Sequence, residues 1–125
     1  MHYFIQKITI DNGDYMVKVP GEMMFEKHNY QMDQAAKVIY LNVSTRLQQQ
    51  ISVENIKTIF SHVDEYIKQK NLLGISPNMF DPECSLYLTE ALIEEDIFLG
   101  TIDYDELFLA ELFYMKLIGL LDEEE

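Results

Sequence analysis

A chain of 125 residues with 48 % hydrophobic residues, five glycines and three prolines has the length and composition of one folded domain, spanning 1–125, and not those of a disordered chain. Its net charge of −13 opposes direct binding to nucleic acid and to anionic membranes, both of which draw their affinity from lysine and arginine. Cys84 is the single cysteine, so neither an intramolecular disulfide nor a multi-cysteine metal site can form, which suits a cytoplasmic protein.

The start, MHYFIQKITID, has no basic region leading into an apolar run and a cleavage site, so no signal peptide is expected. His2 to Ile10 alternates imperfectly and reads as a strand with Phe4, Ile8 and Ile10 inward. Asn12-Gly13 follows, a hairpin signal because both residues tolerate positive φ, and Tyr15 to Val19 is the return strand, closed by Pro20-Gly21. Glu22 to Gln34 shows neither period and reads as a connection; its Met23, Met24 and Met32, with Phe25 and Tyr30, either fill the core or form an adaptable apolar surface. Lys37 to Arg46, KVIYLNVSTR, is rich in β-branched and aromatic residues and reads as a third strand, against a rival helix from Met32 to Gln50.

Ser52 is an N-cap for a helix in which Val53, Ile56, Phe60, Val63 and Ile67 recur on one face as far as Gln69, with Leu72-Leu73-Gly74 ending it and Ile75 to Phe80 as a loop. Asp81-Pro82-Glu83 restarts a helix by N-cap, N1 proline and a first-turn acid, and Gly100 is expected as its left-handed C-cap after Leu99. Asp103 then caps a last helix, with Glu106 as the reciprocal partner. Of the eighteen residues from Tyr104 to Leu121, thirteen are apolar or aromatic, and past the first turn the only charges are Glu111 and Lys116. So apolar a helix must lie at the centre of a core or at a subunit interface. It is also too short and too charged to cross a bilayer. The expected fold is α+β: an antiparallel sheet of two or three strands packed on about three helices, with the C-terminal helix central.

Charge is confined to one part of the chain. Residues 1–74 balance eight Lys and Arg against eight Asp and Glu, whereas residues 75–125 hold fourteen acids and one base, Lys116. Glu94, Glu95, Asp96, Asp103, Asp105 and Glu106 crowd the turn between the last two helices, as an acidic knob for a basic protein or as solvated helix ends. A calcium loop pattern is absent, and His2, His28 and His62 lack zinc spacing, so no metal or other cofactor is expected. No nucleophile elbow, phosphate loop or dinucleotide pattern points to an enzyme.

These features favour a small acidic, non-enzymatic module that neutralises a basic partner protein, the manner of action of toxin-immunity proteins and phage-encoded inhibitors, an analogy of size and charge only. The alternative is a structural or adaptor protein that self-associates, as a homodimer, through Phe108, Leu112 and Met115 of the last helix. A third class, a small-ligand binder, would need a pocket lined by converging polar groups.

Overall fold

The computed structural model describes residues 2–69 and 82–121. Two strands, β1 (Tyr3–Ile10) and β2 (Gly13–Pro20), pair antiparallel as a hairpin, followed by helices α1 (Met32–Asn42), α2 (Thr45–Gln48), α3 (Val53–Gln69), α4 (Pro82–Ile93) and α5 (Thr101–Leu117). The α+β class and the packing of the C-terminal helix on the sheet are as the sequence implies.

In the hairpin the register pairs Ile8 with Tyr15 and Ile10 with Gly13, so the turn residues are Asp11 and Asn12, with φ 51° and 67°. The turn therefore lies one residue before the Asn12-Gly13 pair. Charge explains the choice: centring the turn on Asn12-Gly13 would set Asp11 opposite Asp14, whereas the observed register sets Thr9 opposite Asp14 and gives a 2.8 Å hydrogen bond from the Thr9 hydroxyl. Ile8, Val17 and Val19 are buried, Ile10 partly so, while Phe4 stays half exposed.

The third strand does not form among the described residues; Met32 to Asn42 is helix α1. Its β-branched residues suit a strand locally, but Ala35, Ala36, Val38, Ile39 and Leu41 are all buried by a helix that packs on β2, α3 and α5. Tertiary burial outweighs a propensity spread of about 1 kcal/mol. Asn42 ends the helix and closes part of the sheet: its side-chain amide donates to the Lys18 and Val38 carbonyls at 2.9 and 2.8 Å, and its oxygen accepts the Lys18 N–H at 2.9 Å.

Helix α3 begins as expected, with the Asn55 N–H donating to Ser52 Oγ at 3.1 Å and the Ser52 N–H donating to Asn55 Oδ1 at 3.0 Å. Ile56, Ile59, Phe60, Val63 and Tyr66 form its buried face. The expected end of this helix at Leu72-Leu73-Gly74, the loop after it and the Asp81 cap lie outside the described residues.

Helix α4 stops at Ile93, six residues before the expected end at Leu99. Asp96, at φ 61°, takes the left-handed position, the Ile97 N–H reaches the Leu92 carbonyl at 3.0 Å and the Asp96 N–H the Ile93 carbonyl at 3.1 Å. This is the hydrogen-bond pattern of a Schellman motif, sealed by buried Leu92 and Ile97. Gly100 is thus not a C-cap; with φ −108° it is the extended N-cap of α5, and its N–H is accepted by Asp103 Oδ2 at 2.8 Å. Asp103 sits three residues inside the helix it was expected to open.

Helix α5 packs on α1 and β1, and α1 shares the centre with it. Phe108 meets Phe60 in a T-shaped contact at 5.8 Å, Phe113 packs on Tyr15 at 5.1 Å, and Tyr114 makes T-shaped contacts with Phe25 and Tyr30. The Tyr114 hydroxyl accepts the Gln31 N–H and donates to Gln34 Oε1, both at 3.1 Å, so the connection from β2 to α1 is strapped over the end of α5. Gly119, at φ 84°, ends the helix beneath His28, whose N–H donates to the Ile118 carbonyl at 2.6 Å.

Candidate functional site

The six acids at the α4–α5 corner divide into two groups. Three of them hold the chain together. Asp103 is buried and binds Arg46 at 2.7 Å as well as the Gly100 N–H; Glu106 binds Arg46 at 3.3 Å and accepts the Ser44 N–H at 2.9 Å; Glu95 lies 2.9 Å from His62 Nε2. Hydrogen bonding and charge from Asp103 hold the Arg46 guanidinium pKa above its ordinary value. Asp105 turns one carboxylate oxygen into the protein, where it has no hydrogen-bond partner among the described residues. Glu94 and Asp96 are exposed and, among the described residues, unpaired. The acidic knob is therefore half scaffold: Arg46, sixty residues from Glu106 in sequence, neutralises what the sequence alone presents as a free cluster.

Beside it lies a surface that charge counting does not reveal. In α4 the positions Leu86, Glu90 and Ile93 share one face by helical spacing, flanked by Glu83 and Glu94. Leu86 is 61 % exposed and Ile93 50 %, and the chain continues with Phe98 at 68 % and, in the first turn of α5, Ile102 at 70 %. Large apolar groups are thus set out along an acidic helix that contains no lysine or arginine. The signal was legible as spacing, but Leu86 and Ile93 resemble core residues until the structure shows which face of α4 is covered.

The residues expected at an oligomer interface behave differently. Phe108 is buried against Phe60 within the chain; Leu112 and Met115 are partly buried and each lines a cavity. The methionine-rich connection is split likewise: Met23 and Phe25 pack on the core, while Met24 is exposed beside a shallow groove of about 580 Å³ bounded by His2, Pro20, Gly21, Gln34 and Lys37.

A smaller cavity of about 230 Å³ lies between α3, α5 and the start of α1, lined by Tyr30, Met32, Phe60, Val63, Asp64, Ile67, Glu111 and Met115. Glu111, the acid that interrupts the apolar run of α5, accepts the Tyr30 hydroxyl at 2.7 Å. Burial among apolar side chains raises its pKa to about 7, the Tyr30 hydrogen bond working against that rise and the charge of Asp64 adding to it. Burial and the neighbouring Glu111 charge also push the Tyr30 phenol well above its ordinary range. Asp64, exposed at the rim, is raised by desolvation too. Among the described residues no group of three or more metal-ligating side chains converges, and no helix is long and apolar enough to cross a membrane.

Comparison of the chain with protein-family models, with curated proteins and with solved structures finds no match.

Proposed function

We propose that the protein is a non-enzymatic binding module that occupies a basic partner protein through the outer face of α4 and the turn into α5. The observation that carries this reading is the run of exposed apolar side chains, Leu86 and Ile93 on one face of α4 and then Phe98 and Ile102 along the turn into α5, interspersed with Glu90, Glu94 and Asp96, acids that make no ion pair among the described residues. Apolar side chains supply a contact that charge alone does not, and the surrounding acids select against acidic competitors and speed the approach of a basic partner. The partner surface that fits is cationic with apolar anchors, such as a basic amphipathic helix. Capping of a basic surface would inhibit whatever that surface does, which is the neutralising role.

The test is a pull-down with the tagged protein at low and high salt, run beside two variants: Glu90→Lys/Glu94→Lys/Asp96→Lys and Leu86→Ser/Ile93→Ser. One basic protein held in stoichiometric amount, released by salt and lost in both variants, is the expected result. Equal capture by the charge-reversed variant would remove this surface from consideration.

A second reading, assembly through self-association, is favoured by a different observation. The outer edge of β1 is unpaired among the described residues, runs eight residues without bulge or proline, and exposes Tyr3, Phe4 and Ile5. Such edges are ordinarily blunted, and strand addition is what an open one invites. Light scattering on wild-type protein and on Ile5→Pro separates the readings: a dimer that the proline dissolves supports assembly, and a monomer in both removes it.

A further inference from the structure

We propose that the cavity between α3, α5 and the start of α1 is a binding site for a compact organic ammonium ion, an amine on a short apolar body. This inference does not depend on the α4 surface. The walls are apolar, from Met32, Phe60, Val63, Ile67 and Met115, and the polar groups are of one kind: the Glu111 carboxylate within, hydrogen-bonded by Tyr30, and the Asp64 carboxylate at the rim. Among the described residues no lysine, arginine or histidine lines it. One hydrogen bond from Tyr30 leaves the Glu111 carboxylate with acceptor capacity to spare, which an ammonium group, three donors and one positive charge, is built to use. Two of the lining rings, Tyr30 and Phe60, are held in place by edge contacts to Tyr114 and Phe108. At about 230 Å³ the cavity lies below the range of drug-sized pockets, so the ligand is small. A bare divalent cation fits poorly, because apolar walls cannot supply its oxygen ligands.

The alternative occupant of Glu111 is a proton, since burial places its pKa at about 7. Tyr30, from the connection, and Asp64, from α3, are the titratable groups facing it, and Lys68, one turn beyond Asp64, acts on Asp64. Proton and ammonium compete for one carboxylate, so the ligand should bind on the alkaline side and be displaced by acid.

The experiment follows the methyl signals of Met32 and Met115 by NMR during titration with n-butylammonium at pH 8 and pH 5.5, with 1-butanol as the neutral counterpart. Saturable shifts at pH 8 that weaken about tenfold or more at pH 5.5 and in Glu111→Gln, with no such dependence for 1-butanol, support the site. Asp64→Asn, at the rim, should weaken binding less than Glu111→Gln. Absence of saturable shifts at pH 8, or equal affinity in Glu111→Gln, overturns it. An amidated, acetylated lysine that competes with n-butylammonium assigns the ammonium to a side chain of another protein; binding of n-butylammonium alone assigns it to a free amine.

Discussion

Replacing Glu111 with glutamine should stabilise the protein above neutral pH and destabilise it slightly in acid. The folded-state pKa of about 7 lies above the ordinary glutamate value of 4.5, so between those values the folded state holds a proton that the unfolded chain releases. The sign follows from that difference. Below pH 4.5 the residue is neutral in both states and costs nothing; as pH rises from 4.5 to 7 the unfolded chain ionises while the buried carboxyl resists, so stability falls, levelling off above 7 where both states are ionised. A difference of about 2.5 units corresponds to roughly 3 kcal/mol lost by pH 8. Glutamine keeps an oxygen for the Tyr30 hydroxyl, but its amide group brings donors into an apolar cavity at about 1 kcal/mol, leaving a net gain of about 2 kcal/mol. With urea slopes of about 1–3 kcal/mol/M, the unfolding midpoint of Glu111→Gln at pH 8 should lie about 1 M above wild type, and near pH 4.5, where only the amide cost of about 1 kcal/mol remains, it should fall slightly below wild type. If wild type and variant showed parallel stability across pH 4.5 to 8, Glu111 would not carry the titration and the account of its burial would fail.

Other parts of the fold are open to similar tests. Asp103→Ala removes the acceptor of the Gly100 N–H and one partner of Arg46, and thermal unfolding should show a loss of about 1–2 kcal/mol with fraying at the start of α5. Gly119→Ala places a Cβ at φ 84° and 3.1 Å from the His28 ring, so it should cost about 1–2 kcal/mol and loosen the His28 N–H bond to the Ile118 carbonyl, read as faster amide exchange at His28. Asn42→Leu leaves the Lys18 N–H and carbonyl without their side-chain partner, with an expected loss of about 1–3 kcal/mol by urea denaturation.

Local signals in the sequence led to correct elements where local chemistry decides. The hairpin follows from residues that tolerate positive φ, α3 from the Ser52 cap and one apolar face, and the central place of α5 from its lack of a polar face. They misled where distant contacts decide. The β-rich run after Lys37 is a helix because three neighbours bury it, and α4 ends at Ile93 because Asp96, a residue without glycine's freedom, adopts the left-handed cap once Ile97 can pack on Leu92. The candidate sites show the same division. The acids at the α4–α5 corner were visible as charges, but their pairing with Arg46 was not. Glu111 was visible as an interruption, yet its meeting with Tyr30, eighty-one residues earlier, requires the completed fold.

The side-chain clasp between Asn42 and Lys18 bears on how many copies could ever meet through the sheet. A hairpin with two open edges can be extended at both, and repeated addition gives a filament. Here the β2 edge is occupied at Lys18 by Asn42, with α1 packed alongside, whereas the β1 edge is unpaired among the described residues. Two molecules joined β1 to β1 would turn occupied edges outward on both sides. The hairpin thus has a valence of one: growth by this route terminates at a symmetric pair, and loss of the Asn42 clasp is the change that would remove the stop.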